Sequence, residues 1–361
     1  MKKAIWLMAA AVVTIALFLV VAHLKRPGSG IRWKFRTGRT ISSKPHIQDG
    51  VVYFGSWDNH FYAIDFATGR FKWRFETGDW VSSSPAVVEG VVYFSSQDGY
   101  VYAAKADSGK QLWKFKTDDR ILASPVMLDG VLYFGSEDAN LYAVNARTGR
   151  EKWRFKTGAG VGTPVIAKGL LCFGSDDGCA YAVDAESGQE KWRFKTGGCV
   201  GRPLIFRDTA YFGSWDGHLY AVNALNGEPK WKFRTGGRVD VPINGHTAPA
   251  VGRECILIGR ANRLYAVHAE RGEEKWRFEA AGEVSCPAIT DNIIYFTTPK
   301  DGVLGLDLDT GREEWRLKLR AAIQSSPALA DGYILFGDWD GVLYSVKFEF
   351  TRASSEVNSG Q

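Results

Sequence analysis

Short apolar runs alternate with polar, glycine-containing turns along almost the whole chain. Residues 82–116 show one unit. Ser84-Pro85-Ala86-Val87-Val88 is a short apolar run, and Glu89-Gly90 reads as a turn. Val91-Val92-Tyr93-Phe94 is β-branched and aromatic, which suits a strand. Ser96-Gln97-Asp98-Gly99 is a second turn, Tyr100 to Ala104 a third strand, and Asp107-Ser108-Gly109 a third turn. Leu112-Trp113-Lys114-Phe115-Lys116 alternates strictly and reads as a fourth strand. Beyond the N-terminus, no window shows the 3.6-residue apolar spacing of a helix. The pattern predicts four short antiparallel strands in about 40 residues, the size of one propeller blade.

The unit repeats. Trp33, Trp73, Trp113, Trp153, Trp192, Trp231, Trp276 and Trp315 mark it, with successive separations of 40, 40, 40, 39, 39, 45 and 39 residues. Each is followed by a basic residue and then by phenylalanine, or by leucine at Leu317. A proline recurs 11 or 12 residues after each tryptophan, from Pro45 and Pro85 through Pro242 to Pro327. Turns such as Thr68-Gly69 and Thr148-Gly149 place glycine where positive φ is needed. Asp65, Asn145, Asp184, Asn223 and Asp307 open the same turn, where a short side-chain oxygen accepts a backbone N–H. The fourth strand, with Lys and Arg outward, forms the charged outer edge of each blade. The first residues, 31–36, form a fourth strand with no blade before it, and the last unit lacks one after Val342–Val346. Pairing the two closes the ring. The expected fold is all-β: an eight-bladed propeller of four-stranded antiparallel blades over residues 30–350.

The N-terminus stands apart from this pattern. Lys2 and Lys3 precede an uncharged apolar run from Ala4 to Ala22, and Lys25, Arg26, Pro27 and Gly28 end it. Nineteen residues in a helix span roughly 28 Å, enough to cross a bilayer core. Residues 1–29 are therefore expected to be a transmembrane helix acting as an uncleaved signal anchor, with a cleaved signal peptide as the alternative. Either way the propeller is exported, to the periplasmic or extracellular side. Residues 351–361 read as a disordered, solvated tail. The five cysteines (Cys172, Cys179, Cys199, Cys255, Cys286) have no framework spacing, and small core residues explain them. A Cys172–Cys179 disulfide within one hairpin is open.

Runs such as Tyr142-Ala143-Val144-Asn145-Ala146-Arg147-Thr148-Gly149-Arg150-Glu151-Lys152-Trp153 resemble the repeat of the pyrroloquinoline quinone (PQQ) propeller family. The resemblance covers residues 31 to about 348. It implies that each marker tryptophan docks against a neighbouring blade. It does not set function, because the family holds quinoprotein dehydrogenases as well as non-enzymatic proteins such as the outer-membrane assembly lipoprotein BamB. The Trp-Asp dipeptides at 57, 215 and 339 sit between the second and third strands, which differs from the WD40 pattern.

A PQQ dehydrogenase needs calcium ligands, a carboxylate base and a pocket for a flat quinone. The family's enzymes usually add a vicinal disulfide. This chain has no adjacent cysteines and, from its even spacing, few long inter-blade insertions. The acids Asp98, Asp138, Asp177, Asp216 and Asp340 are accounted for by turn chemistry. His60 and His218 occupy equivalent places in blades one and five, too far apart to share a metal. The formal charge of +5 is spread along the blade rims rather than clustered, so nucleic acid is not an expected partner.

Two departures from the repeat mark candidate contacts. Six extra residues lie around 241–249. One face collects Trp57, Trp80, Trp215 and Trp339 on turns, with Arg39, Arg120, Arg238, Arg260 and Arg320. Arg202 replaces the Ser or Thr before the repeat proline and points toward the channel. Trp57, Trp80, Trp215, Trp339, Arg120, Arg202, Arg238 and His246 form the candidate partner- or ligand-binding set, with no catalytic or metal residue among them. The expected function is a non-enzymatic, membrane-anchored binding scaffold contacting protein partners, by resemblance in an envelope assembly complex, with no cofactor. The alternatives are a PQQ-dependent dehydrogenase, requiring PQQ and calcium, and a carbohydrate-binding or sensor propeller.

Overall fold

The computed structural model describes residues 30–237, 248–290, 292–323 and 325–348. Eight four-stranded antiparallel sheets follow one another around a ring. In blade one the strands are His46–Gln48, Val51–Gly55, His60–Asp65 and Phe71–Glu76, running from the channel outward. Blades two to seven repeat this over residues 86–116, 126–156, 165–195, 204–234, 250–279 and 288–317. The eighth blade takes three strands from the C-terminal end (Ala328–Ala330, Tyr333–Gly337, Val342–Lys347) and its outer strand, Ile31–Arg36, from the N-terminal end. Phe35 pairs with Leu343 and Arg36 with Val342, so the ring is closed by backbone hydrogen bonds, as the unpaired strands at the two ends predict.

The turns follow from local chemistry. Between the first and second strands, Asp49-Gly50, Glu89-Gly90 and Asp129-Gly130 all have positive φ at both positions. That is the two-residue turn whose twist matches a hairpin. Between the third and fourth strands, Asp65 Oδ1 accepts the Thr68 N–H at 2.8 Å, and Asn145 and Asp307 do the same for Thr148 and Thr310.

Eight apolar clusters hold the ring, each joining two neighbouring blades. The cluster between blades eight and one contains Trp33, Leu335 and Leu343 with Val52, Phe54 and Ile64. Between blades one and two, Phe61 stacks on Phe94 at 4.1 Å. The marker tryptophans dock as the family resemblance implies. Trp33, Trp73, Trp113, Trp192, Trp231 and Trp276 each donate Nε1–H to a carbonyl of the next blade at 2.8–3.0 Å. Trp153 is the exception. Its buried Nε1 has no hydrogen-bond partner among the described residues. Trp315 is buried between blades seven and eight.

One detail differs from the sequence expectation. Pro249, not Pro242, occupies the repeat position of blade six: it precedes the strand Ala250–Gly252 as Pro85 precedes Ala86–Val88. The extra residues therefore lie before that proline. Cys172 and Cys179 are free, buried thiols, and Cys172 faces Ala182 across the hairpin while Cys179 faces Lys195. The expected anchor (1–29), the tail (351–361) and most of the 241–249 insertion lie outside the described residues. No helix among the described residues is long and apolar enough to cross a membrane.

Candidate binding face and central channel

One face of the ring is built from the loops between second and third strands and the loops linking blades. A carboxylate latches them together. Asp58 Oδ2 accepts the Tyr62 hydroxyl at 2.7 Å and the Gly38 N–H at 2.7 Å, while Oδ1 accepts the His60 N–H at 3.2 Å. Asp98, Asp138, Asp177 and Asp216 repeat the arrangement with Tyr102, Tyr142, Tyr181 and Tyr220. Burial first, and then the hydrogen bond to the carboxylate, push these tyrosine hydroxyls well above their ordinary range. The acids are thus structural, as turn chemistry predicts, with one correction. In blade eight it is the fully buried Asp338, not Asp340, that accepts the Tyr344 hydroxyl at 2.9 Å. Asp301 in blade seven accepts the Ala281 N–H at 2.6 Å and pairs with Arg316 Nη1 at 2.7 Å.

Three of the four candidate tryptophans form one arc. The Trp57 and Trp80 rings stack face to face, 4.2 Å apart and 3° from parallel. Trp57 Nε1 donates to Ser42 Oγ at 2.8 Å, which fixes the pair against the loop entering blade one. Thr40 links this pair to Trp339. Its carbonyl accepts the Trp57 N–H at 3.0 Å, and its hydroxyl donates to the Trp339 carbonyl at 3.0 Å. Trp339 leaves 54% of its surface exposed, beside the exposed Arg39. Trp215 is half-buried in blade five, across the ring from this arc. Arg120 is exposed between blades two and three. Arg238 and His246 lie outside the described residues.

Two groupings are not apparent in the repeat. Glu137 and Asp176, at the Trp57 position of blades three and four, converge over Gly160. Their Oε2 and Oδ2 lie 3.1 and 3.2 Å from where a Cβ on that glycine would sit. Burial, then the charge of Asp176, push the Glu137 carboxyl up, with Arg120 opposing. Loss of hydration likewise pushes Asp176 up. No cluster of three or more metal-ligating side chains occurs among the described residues.

The second grouping is the channel. A cavity of about 520 Å³ lies on the axis and is lined from six blades, including Lys44, Val165, Arg202, Pro249, Cys286 and Leu329. Arg202 is among the residues that line it. Burial pushes its guanidinium pKa down, and the opposing influence is the Cys286 thiol. Cys286 itself reaches the Ala248 carbonyl at 3.4 Å.

Fold and loop chemistry together define a PQQ-like β-propeller. The chain matches the family profile described as outer membrane protein assembly factor BamB over residues 11–81, 73–160, 154–277 and 242–349, and it belongs to that family. Among curated proteins, none matches the sequence significantly. Solved structures share the fold at low identity. BamB from Moraxella catarrhalis is 14% identical, with a TM-score of 0.75 over 90% of this chain and 98% of its own. The quinohemoprotein alcohol dehydrogenase ADHIIG from Pseudomonas putida HK5 is 16% identical, with a TM-score of 0.75 over 90% of this chain and 76% of its own. The computationally designed Ika8 protein is 14% identical, with a TM-score of 0.77 over 89% of this chain and 100% of its own. The fold is therefore shared by an assembly factor and an enzyme alike.

Proposed function

We propose that the chain is a non-enzymatic binding propeller, exported and held at a membrane by residues 4–22, that docks protein partners in an envelope complex. The observation that carries this reading is the arc Trp339–Thr40–Trp57–Trp80. A large, exposed indole projects from a backbone fixed by hydrogen bonds, near a stacked aromatic pair and an exposed arginine. Pre-organised aromatic residues flanked by arginine are the composition of protein-contact hot spots. Membership of the BamB-type family supports the same reading.

The test is a photo-cross-linking residue at position 339 in the full chain, in native membranes. A discrete cross-linked protein, absent when the probe sits at Asp331 on the opposite face, is the expected result. The likeness to a quinohemoprotein alcohol dehydrogenase makes PQQ-dependent oxidation the second reading. It is tested by titrating the purified protein with PQQ and calcium. Saturable quinone absorbance with dye-linked alcohol oxidation would replace the scaffold reading. Glycan binding lost in Trp57→Ala would instead favour a carbohydrate-binding propeller.

A further inference from the structure

We infer that the central channel is a binding site for a small oxyanion, a carboxylate or phosphate, held between Arg202 and Lys44. The residue before the repeat proline faces the axis in each blade. In six blades it is small or hydroxylated, and in blades one and five it is Lys44 and Arg202. Blades one and five stand opposite each other in an eight-membered ring, so the two cations approach the cavity from opposite walls.

Among the described residues, the charge at this site is unbalanced. No aspartate or glutamate is among the described residues lining the cavity. Arg202 is half-buried and makes no hydrogen bond or ion pair with any described residue, and lost hydration destabilises its guanidinium. Elsewhere the chain pairs its arginines readily: Arg154, Arg193, Arg277 and Arg316 each meet a glutamate three residues earlier. A desolvated guanidinium without a partner is unfavourable, and a planar or tetrahedral oxyanion satisfies its two-pronged donor geometry. Lys44 adds a mobile point charge on the far wall. The volume of about 520 Å³ falls within the range of small-ligand sites. The flanking apolar residues Pro203, Ile205, Pro249 and Ile289 lower the local polarity, which strengthens the attraction.

The test is calorimetric titration of the full-length protein in detergent, at low ionic strength, with citrate and separately with inorganic phosphate. Saturable binding of at least one is expected, weakening as sodium chloride is raised. Arg202→Met is expected to weaken it by about tenfold or more, as loss of a charge-assisted pair should. Arg150→Met, at an exposed outer turn of blade three, is expected to leave it unchanged. A local readout needs no variant: bound anion should slow maleimide labelling of Cys286, which lines the cavity, and leave Cys199 unaffected. No saturable binding of either anion, equal affinity in a folded Arg202→Met protein, or unchanged Cys286 labelling would overturn the site. These readouts do not depend on the cross-link at position 339, so the channel site and the scaffold reading stand or fall separately.

Discussion

The indole of Trp33 fills the space that a side chain on Gly69 would need: a Cβ there would lie 2.7 Å from Trp33 Cδ2. Trp33 Nε1 also donates to the Phe66 carbonyl at 2.9 Å, three residues before that glycine. The contact joins the strand that closes blade eight to blade one, so it acts on ring closure itself. Gly69 has φ of 68° as well, which a side chain resists. Gly69→Ala therefore incurs both a steric and a backbone cost, expected to total about 2–4 kcal/mol. Gly50→Ala is the comparison, since Gly50 has φ of 72° but open space around it. Its expected cost is about 1 kcal/mol, the backbone part alone. Chemical denaturation of both variants measures the difference. Equal losses would mean that tryptophan docking contributes little.

The tyrosine–aspartate latches make the fold sensitive to alkali. Tyr62, Tyr102, Tyr142, Tyr181 and Tyr220 have hydroxyls pushed above the ordinary value, and Tyr344 is raised to about 12. A group raised in the folded state keeps its proton longer there than in the unfolded chain. Stability is then complete below about pH 10 and declines as pH rises through the folded values. Phenolate absorbance is expected to rise together with loss of the β-sheet dichroism, not before it. Asp98→Asn should shift Tyr102 downward while leaving its burial, the larger cause, in place.

Much of this architecture is legible in the sequence because its determinants recur. Tryptophan and Thr-Gly repeat in step, so each blade restates the docking of the last, and the strands lacking partners at the two ends imply closure. Misreadings fall where one unit departs from the others. Pro242 sits at the expected offset from Trp231 by coincidence, and only the pairing of Ala250 with Leu257 identifies Pro249 as its true counterpart. The run Asp338-Trp339-Asp340 offers two carboxylates, and burial selects the first. The Trp57–Trp80 stack joins a blade loop to an inter-blade loop in which the previous repeat carries Thr40, so no periodicity announces it. Arg202 stands out as a substitution in the repeat, whereas Lys44 gains its significance from a ring that places blades one and five face to face.

Glu137 and Asp176 give the same direction of pH dependence as the tyrosine latches, but on the acid side, above the ordinary carboxylate range. Their carboxyls are raised by lost hydration, and for Glu137 by the Asp176 charge as well. The folded state therefore binds more protons than the unfolded chain just above the ordinary carboxylate range. Their contribution falls as pH rises through the raised values, because the two carboxylates repel each other once both are charged. Glu137→Gln is expected to melt at a higher temperature than the native chain at neutral pH, with the gap narrowing on acidification. A lower melting temperature at neutral pH would mean that the pair is held by a compensating cation.

The aromatic arc separates stability from binding. Trp57 is stacked on Trp80 and hydrogen-bonded to Ser42, so Trp57→Ala removes an aromatic pair and leaves the Ser42 hydroxyl without its donor. The expected loss is about 1–3 kcal/mol, seen as a lower denaturation midpoint. Trp339 is mostly exposed and held through its backbone N–H and carbonyl, which alanine retains. Trp339→Ala is expected to change stability by no more than about 0.5 kcal/mol. If the arc is a contact surface, the same substitution should cut affinity for a partner identified by the position-339 cross-link by about tenfold or more, because exposed, pre-oriented indoles dominate such contacts. An alanine at 339 that leaves both stability and partner affinity untouched would assign the exposed indole no role in binding, and the contact surface would have to lie elsewhere on the ring.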